Sequence, residues 1–383
     1  MKILQIVTLI TPDGAYGGPV RVAVNQARAL SDAGHDVTLA AAAAGFEGAL
    51  PTEFDGVPVR LFPVRRMLPG IGFAGLTSPA LLRWLWKALP AADIVHVHLA
   101  RDFVTLPAAQ MARKKRLPYV VQTHGMIDRS SHPLALPLDA IFTRPILRRA
   151  SKLLYLTSKE LADVTCVAGG SVATAHLPNG VPIHKAVCNE DEKTVEVLFL
   201  ARLHERKRPL YFVEMAKRLH AQHPTVRFRL VGPDEGEGTR VRAAIRAAKM
   251  GSALEWEGAI GPHETIERMR QAALYVLPSI NEPFPMSVLE AMSLGIPAVV
   301  TQSCGLHEAI ASAGAGAVTD ETIDSLVEAV TALLERPDEL RAAGERAGSL
   351  IRSSFGMNAI SSTLEALYRD SAGPKGLEPG GTG

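Results

Sequence analysis

The chain has 383 residues, a formal net charge of +2 and 47% hydrophobic residues, values that are ordinary for a globular protein. This length is enough for two domains with separate cores. No stretch approaches the ~20 continuous apolar residues of a membrane span, and the apolar start lacks the cleavage site of a signal peptide. Cys166, Cys188 and Cys304 form no metal or redox spacing, so we expect a reduced, cytoplasmic protein.

The charge is unevenly distributed along the chain. Residues 1–182 contain 19 Lys and Arg against 12 Asp and Glu, a net charge of +7, and the remainder contains 22 against 27, a net charge of −5. A basic first half either meets an anionic acceptor or surface or reflects ordinary scatter.

The first elements predict a β-α-β unit. Residues 2–9 resemble a strand, residues 20–33 have a helical pattern, and residues 35–44 resemble a second strand. Crossovers of this kind are right-handed and join parallel strands. The turn before the helix carries Gly17 and Gly18, which either let the backbone approach a ligand or simply make the turn flexible.

Residues 60–87 combine large apolar side chains with cations. Trp84 and Trp86 lie in the same stretch as Arg65 and Arg66. Interfacial membrane segments have this composition, and so does a buried helix that carries cations at its exposed edge. The sequence leaves both interpretations open.

Two further strands of the first half carry histidines. Residues 93–99 place His96 and His98 on the same side of a strand. We expect His96 to be a buried structural residue and His98, nearer the end of the strand, to be functional. Residues 118–122 form the next strand, and His124 follows it directly. The carboxyl end of a parallel strand is where open α/β sheets bind ligands, so His124 is a functional candidate or else caps the strand.

The second half begins after a polar, poorly patterned stretch at 183–193, which predicts a linker. A strand at 195–200 leads into a basic turn with Arg202 and Lys207. Arginine can hold a diphosphate through its planar fork and lysine as a point charge, whereas an isolated basic turn is usually just solvated.

The most informative stretch is residues 276–300, which predicts a strand, a polar loop, a helix and another strand. Glu282 lies in the loop and Glu290 in the helix, and Pro285 suits the first turn of that helix. The amino end of a helix offers N–H groups and a positive dipole end to an anion. Two carboxylates beside such an end are compatible with a nucleotide sugar, if one accepts hydrogen bonds from a ribose and the other from the sugar.

Glu282 and Glu290, separated by seven residues and followed by Ala-Met-x-x-Gly-x-Pro, resemble the signature of retaining glycosyltransferases of family 4. The resemblance covers residues 1–368. It implies the GT-B fold, an α/β architecture with two Rossmann-like, doubly wound domains facing a cleft and a C-terminal helix that crosses back to the N-terminal domain. We predict an N-terminal domain at 1–182 with a returning helix at 355–370, a donor-binding domain at 195–354 and a disordered tail at 371–383.

The resemblance also implies roles for individual residues. In the family the first Glu contacts the donor sugar, the second contacts the ribose, and a Thr-His-Gly segment faces the sugar. The implied catalytic residues are His124, Arg202, Lys207 and Glu282. The implied donor site consists of Gly17, Gly18, Arg202, Lys207, Glu282, Phe284, Pro285, Met286, Ser287 and Glu290. The acceptor-side candidates are His98, Arg65 and Arg66.

The implied reaction transfers a hexosyl group, with retention, from a UDP- or GDP-sugar to a hydroxyl of a glycan or lipid-linked glycan, in surface polysaccharide or glycolipid biosynthesis. The sequence has no Asp-x-Asp, the motif by which many glycosyltransferases hold a metal, so we expect no metal and no cofactor. We expect the donor, the acceptor and an anionic membrane surface at the inner face of the plasma membrane as partners, and no nucleic acid.

One departure from the family pattern affects the donor. The family usually has Gly-Phe-Gly after the first Glu, where this chain has Pro283, Phe284 and Pro285. Proline has no backbone N–H, so two potential donors to the sugar or diphosphate are absent and the donor sugar is not predicted. A nucleotide-sugar epimerase of the same fold and a catalytically silent nucleotide-sugar-binding protein stay open as alternatives.

Overall fold

The chain divides into two compact units. One consists of Met1–Gly180 with Met357–Gly383 and the other of Val181–Gly356. The computed structural model describes residues 1–12, 17–67, 72–130, 135–185, 195–261 and 263–373.

Two predicted segments fall largely outside these ranges. Residues 186–193 of the predicted linker and residues 374–383 of the predicted tail lie outside the described ranges. Within the described ranges, no helix combines the length and the apolar composition that crossing a bilayer would require.

The strands of the first unit are β1 (Lys2–Ile10), β2 (Asp36–Ala43), β3 (Glu53–Phe54), β4 (Val57–Pro63), β5 (Arg65–Arg66), β6 (Leu76–Thr77), β7 (Ile94–His98), β8 (Tyr119–Gln122), β9 (Lys152–Tyr155) and β10 (Thr174–His176). Those of the second unit are β11 (Glu196–Leu200), β12 (Arg227–Val231), β13 (Leu254–Trp256), β14 (Leu274–Leu277), β15 (Ala298–Thr301) and β16 (Gly316–Thr319).

The helices of the first unit are α1 (Gly17–Asp32), α2 (Pro79–Ala88), α3 (Thr105–Lys114), α4 (Ala135–Leu138), α5 (Arg144–Arg149), α6 (Ser158–Ala168) and, at the end of the chain, α14 (Met357–Ala372). The second unit contains α7 (Pro209–His220), α8 (Gly238–Ala248), α9 (Thr265–Met269), α10 (Met286–Ser293), α11 (His307–Ala313), α12 (Ile323–Leu334) and α13 (Pro337–Leu350). Single π-helical turns follow α4 at Asp139–Thr143 and α13 at Ile351–Phe355.

The main sheet of the first unit has the strand order β10-β9-β8-β7-β1-β2-β4-β3. Its neighbours are parallel except for the antiparallel β3–β4 pair. The strands read as continuous apolar runs because helices cover both faces of the sheet. The order of strands reverses between β1 and β7, and the carboxyl ends of strands at such a reversal form a ligand crevice in open α/β sheets.

The sheet of the second unit is parallel throughout, with the order β13-β12-β11-β14-β15-β16. Counted within the unit, this is the third, second, first, fourth, fifth and sixth strand, the order of the Rossmann fold. The order reverses between β11 and β14. The loops that follow these two strands are the ones that carry Lys207 and Glu282.

The last helix belongs to the first unit, which confirms the predicted return of the chain. Met357, Ile360, Leu364 and Tyr368 of α14 are buried in the same core cluster as β1. The helix extends to Ala372, so the first residues of the predicted tail are helical.

The structure corrects the start of α1. We predicted a helix from Val20, whereas α1 begins at Gly17, so Gly17 and Gly18 lie in its first turn rather than in the loop before it. Pro19 does not prevent this, because the first amides of a helix have no intrahelical acceptor. Residues 13–16 lie outside the described ranges.

Candidate functional site

The predicted donor-site residues of the second unit lie on the two loops at the strand-order reversal. The turn after β11 contains a single 3-10 turn, Glu205–Lys207. The loop after β14 leads through Glu282 to α10. Both loops follow carboxyl strand ends, so the sheet topology alone brings them side by side.

Glu282 is held by two cations from the turn after β11. The ammonium of Lys207 donates a hydrogen bond to Oε2 of Glu282, and Nη2 of Arg206 lies 3.8 Å from the same oxygen. The Glu282 residue is only 7% exposed. A carboxylate that is largely removed from water requires such partners, since an unpaired buried charge is strongly unfavourable. The sequence did not indicate a role for Arg206 in the site, although this residue directly precedes Lys207.

The loop that carries Glu282 is fixed by backbone hydrogen bonds on both sides. The amide of Ile280 donates to the carbonyl of Arg206 at 3.0 Å, and the amide of Gly305 donates to the carbonyl of Glu282 at 2.9 Å. The amide of Asn281 donates to Oγ of Ser303 at 3.2 Å. Asn281 has a φ of 50°, in the left-handed region that asparagine tolerates better than most residues. These contacts fix the backbone on which Glu282 stands, and Lys207 and Arg206 hold its carboxylate.

The helix α10 begins at Met286, and Pro285 is its N-cap with extended backbone angles. We expected Pro285 inside the first helical turn, so the structure shifts it by one position. Met286 and Ser287 are the first two helical residues, whose amides have no intrahelical acceptor. Glu290 is the fifth residue of the helix and is largely buried.

Tyr275 connects α10 to the end of β11. Its hydroxyl donates to the carbonyl of Leu200 at 2.7 Å and lies 2.8 Å from Oγ of Ser287. Burial raises the pKa of Tyr275, and the charges of Glu290 and Glu282 raise it further. The phenol therefore stays protonated and positions the start of the helix. Sequence reasoning missed this role because Tyr275 occurs within an ordinary apolar run.

Arg202 and Lys207 have different ion-pair partners in the structure. Nη1 of Arg202 is 2.6 Å from Oε1 of Glu235, in an ion pair that is largely exposed. Among the contacts of the described residues, Glu282 has Lys207 and Arg206 as its cations. The shared role of Arg202 and Lys207 at a diphosphate stays a prediction.

Phe284 has a structural contact of its own. Its ring packs edge-to-face against that of Phe355, with the ring centroids 5.9 Å apart. The side chain is thus a packing group of the second unit. The group of Phe284 that can contact the donor is therefore its backbone N–H. Pro283 and Pro285, on either side of it, have no backbone N–H.

Three histidines are stacked in the first unit. The rings of His96 and His98 are 4.4 Å apart, and those of His98 and His124 are 5.0 Å apart. Nδ1 of His98 lies 2.7 Å from Nε2 of His124, and Nδ1 of His96 lies 2.7 Å from the hydroxyl of Tyr368. The prediction that His96 is a buried, hydrogen-bonded residue is confirmed. His124 has a φ of 52°, so its backbone is in a conformation that few residues other than glycine adopt.

All three imidazoles are neutral at physiological pH. Burial lowers the pKa of His96 and of His124 to about 3 and the pKa of His98 well below its ordinary value. Two neutral rings that face each other share one hydrogen, so the His98–His124 contact couples their tautomers. The roles of His98 and His124 toward a substrate stay predictions.

Three of the remaining predicted residues of the first unit, Gly18, Arg65 and Arg66, are exposed. A side chain at Gly18 would meet no atom within 4 Å, so packing alone does not require glycine there. Arg65 and Arg66 form β5, which pairs with β6. Among the described residues, no group of three or more His, Cys, Asp or Glu side chains is arranged to hold a metal ion.

The described part of residues 60–87 contains a helix that packs on the core. Leu81 and Leu85 of α2 are buried, and the ring of Trp84 lies 5.6 Å from that of Phe62. Trp86 is 53% exposed, with Nζ of Lys115 4.0 Å from its ring centre. Residues 68–71 lie outside the described ranges. The buried face of α2 supports the interpretation as a core helix.

Both units match families of known proteins. The family described as glycosyl transferases group 1 matches residues 181–349, and the glycosyl transferase 4-like domain matches residues 17–180. The chain is 30% identical over 333 residues to a D-inositol 3-phosphate glycosyltransferase of Geodermatophilus obscurus, covering 70% of this chain and 72% of that protein.

Other relatives match over a smaller part of the chain. The chain is 29% identical over 183 residues to a putative colanic acid biosynthesis glycosyltransferase, WcaL, of Salmonella typhimurium, covering 46% of this chain and 45% of that protein. The chain thus spans about half the length of the first curated relatives it matches, among them another D-inositol 3-phosphate glycosyltransferase, from Kineococcus radiotolerans, of which 53% is covered.

Solved structures share the architecture at low sequence identity. The structure of Anabaena Alr3699/HepE in complex with UDP has a TM-score of 0.74 and 18% identity, covering 96% of this chain and 99% of that one. WaaG, a glycosyltransferase involved in lipopolysaccharide biosynthesis, has a TM-score of 0.67 and 18% identity, covering 95% and 98%. These likenesses show the GT-B fold with its two Rossmann-like units. The chain belongs to the group 1 glycosyltransferase family.

Proposed function

We propose that this protein is a retaining hexosyltransferase that uses a nucleoside diphosphate sugar as donor and a glycan or lipid-linked glycan as acceptor. The observation that carries the proposal is the placement of Glu282, Lys207 and Arg206 at the strand-order reversal of the second unit. A carboxylate suits sugar hydroxyls, and cations suit phosphates, so a nucleotide sugar satisfies both kinds of group at once.

The diphosphate has its partners on the same two loops. A sugar hydroxyl can donate a hydrogen bond to Glu282. The side chains of Lys207 and Arg206 can then also contact the phosphates. The amides of Met286 and Ser287 at the start of α10 add hydrogen-bond donors and the positive end of the helix dipole. The buried Glu290 is the proposed partner of the ribose.

These groups also provide the proposed chemistry. The leaving nucleoside diphosphate develops negative charge as the glycosidic bond breaks, and fixed cations and helix amides stabilise that charge. We propose that they are sufficient, so that transfer needs no metal ion. We also propose that the acceptor attacks on the face of the leaving group, which retains the anomeric configuration.

The donor and the acceptor are proposed by class. Solved structures of the same fold are described with UDP and with UDP-glucose, which favours a UDP-sugar over a GDP-sugar here. WcaL is named for colanic acid biosynthesis and WaaG for lipopolysaccharide biosynthesis, which favours a surface polysaccharide or glycolipid. We place the protein in the cytoplasm, associated with the inner face of the plasma membrane, where lipid-linked acceptors are available.

The test is a proton NMR assay of a UDP-sugar panel and a GDP-sugar panel, with EDTA present and an oligosaccharide or water as acceptor. We expect release of the nucleoside diphosphate and a product with the anomeric configuration of the donor. Glu345→Gln, an exposed substitution on α13, serves as the matched control for Glu282→Gln. Inversion, a requirement for added magnesium, epimerisation of the donor without transfer, or binding without turnover would each contradict the proposal.

A further inference from the structure

The excess positive charge of the first unit is concentrated in residues 101–149. This stretch contains nine Lys and Arg and three Asp and Glu. All three acidic side chains already have partners. Asp102 accepts from the hydroxyl of Thr8 at 2.7 Å, and Asp128 and Asp139 both pair with Arg101, at 3.2 and 3.0 Å. The other eight cations therefore have no carboxylate available within their own stretch.

Four of these cations line one cavity. Arg113, Arg144, Arg148 and Arg149, which we call the arginine pocket, surround a volume of about 450 Å³ together with Ala140 and Pro145. Within the described part of the chain, none of the four forms an ion pair with a carboxylate. The positive charges around one volume repel each other, so they favour the binding of an anionic ligand there.

Two of the four guanidinium groups are held in place by backbone carbonyls at the end of α6. Nε of Arg144 donates to the carbonyl of Val167 at 3.0 Å, and Nε of Arg148 donates to that of Ala168 at 2.6 Å. Each guanidinium group has five N–H donors in a fixed plane, so most of them remain available. Such an arrangement suits the several oxygens of a phosphate group.

The arginine pocket is distinct from the histidine stack. Arg113 and Arg149 lie in the last turns of α3 and α5, which lead into β8 and β9. Helices in a parallel α/β sheet run opposite to the strands, so these helix ends lie toward the amino ends of the strands. His98 and His124 lie at the carboxyl ends.

An apolar surface lies next to the pocket. Leu136, Ile141 and Phe142, which we call the apolar ridge, are 65%, 62% and 38% exposed. Ala140, which lines the pocket, directly precedes Ile141 and Phe142. Large exposed apolar side chains that lie near a set of cations along the chain are typical of an interaction surface.

We propose that the arginine pocket and the apolar ridge form a docking surface for an anionic phospholipid bilayer. Lipid phosphates would occupy the pocket, while the ridge enters the boundary between headgroups and acyl chains. A soluble phosphate compound would compensate the arginines but would leave the ridge exposed to water, whereas a bilayer satisfies both. The inference rests on the proposed membrane location and is independent of the donor site. It assigns the membrane contact to the arginine pocket and the apolar ridge rather than to residues 60–87.

The test is co-sedimentation with vesicles of phosphatidylcholine alone and of equal parts phosphatidylcholine and phosphatidylglycerol, over a salt series. We expect binding to the anionic vesicles only, weakened by salt. Arg113→Gln/Arg149→Gln should reduce the partition coefficient about fivefold for each charge removed, or roughly thirtyfold in all, since a surface cation contributes about 1 kcal/mol. These two arginines are chosen because Arg144 and Arg148 also hold the backbone of α6.

Matched variants separate charge from folding. Arg240→Gln/Arg341→Gln removes two exposed arginines of the second unit and should bind as the wild type does. Arg113→Lys/Arg149→Lys keeps the charge and should retain most of the binding. Ile141→Ser/Phe142→Ser should abolish the part of the binding that survives high salt, and Ile183→Ser, another exposed isoleucine, should not.

Two results would overturn the proposal. One is equal binding of wild type and Arg113→Gln/Arg149→Gln to anionic vesicles. The other is stabilisation of the wild type by inorganic phosphate or pyrophosphate, lost in that variant, without vesicle binding, which would assign the pocket to a soluble anion. Glu290→Gln should bind vesicles normally, so a failure of the donor site is distinguishable from a failure of the docking surface.

Discussion

Lys207 donates a hydrogen bond to Glu282, 75 positions further along the chain, and thereby ties the turn after β11 to the loop after β14. These are the two strands between which the strand order of the second unit reverses. The ion pair thus fixes the two loops that the family resemblance assigns to the donor. It contributes to stability as well as to the proposed site, and the two contributions can be measured separately.

The Lys207–Glu282 pair should show strong coupling in a double-mutant cycle of stability. Glu282→Gln should lower the free energy of unfolding because it leaves the largely buried Lys207 without its opposite charge, and Lys207→Gln because it leaves the buried Glu282 with only the more distant Arg206. We expect a coupling energy of about 1–3 kcal/mol from urea denaturation of both single variants and the double variant. Additive effects would show that the pair does not stabilise the second unit.

Arg206 should contribute to donor binding although the family motif does not include it. Its guanidinium lies 3.8 Å from Oε2 of Glu282. Arg206→Gln removes a charge beside the proposed diphosphate site and should weaken nucleotide-sugar affinity by about 0.5–3 kcal/mol. The measurement is fluorescence or calorimetric titration, with Arg240→Gln as the exposed control. An unchanged dissociation constant in Arg206→Gln would remove this residue from the site.

Tyr368 should stabilise the attachment of the last helix to the first unit. Its hydroxyl lies 2.7 Å from Nδ1 of the buried His96, so Tyr368→Phe leaves a buried nitrogen without its partner. We expect a loss of about 1–3 kcal/mol in the free energy of unfolding. Tyr155→Phe, at a partly buried tyrosine of β9, is the control and should cost less. Equal losses in the two variants would contradict a specific role of the Tyr368–His96 contact.

The histidine stack predicts a loss of stability at mildly acidic pH. The pKa of folded His96 and His124 is about 3, whereas an unfolded histidine titrates near 6.5. Between these values the unfolded state binds protons that the folded state does not, so the free energy of unfolding falls as the pH falls. We expect a decrease of about 1 kcal/mol for each buried imidazole between pH 7 and pH 5.5.

Urea denaturation at a series of pH values checks this expectation. His96→Asn removes one titrating group, so its stability should depend less steeply on pH than that of the wild type. His263→Asn, at an exposed histidine, is the control for the substitution itself. A flat pH dependence in the wild type, or equal slopes in all three proteins, would be incompatible with buried neutral imidazoles.

The fold was predictable because its signals are local. The apolar runs of β11 and β14, and the glycine and proline that follow α10, indicate alternating strands and helices without reference to distant residues. The start of α1 was missed because Gly17, Gly18 and Pro19 favour a turn by composition, although the first turn of a helix accepts them.

The site was predictable residue by residue but not as an arrangement. Glu282 and Lys207 each matched a family position, yet no local pattern encodes the ion pair between them or the 3.8 Å approach of Arg206. Arg202 matched equally well, and its contact with Glu235 depends on how the loop after β12 folds back. The arginine pocket likewise combines side chains of α3 and α5, which tertiary packing alone brings together.

The most direct test of the central claim is calorimetric titration of UDP-sugars and GDP-sugars into the wild type, Glu282→Gln, Glu290→Gln and the exposed control Glu345→Gln, all in EDTA. The account predicts binding of one class of nucleotide sugar to the wild type and the control. It predicts affinities lower by about 0.5–3 kcal/mol in each of the two site variants. Binding of no nucleotide sugar to the wild type, or equal affinities in all four proteins, would contradict a donor site built on Glu282 and Glu290.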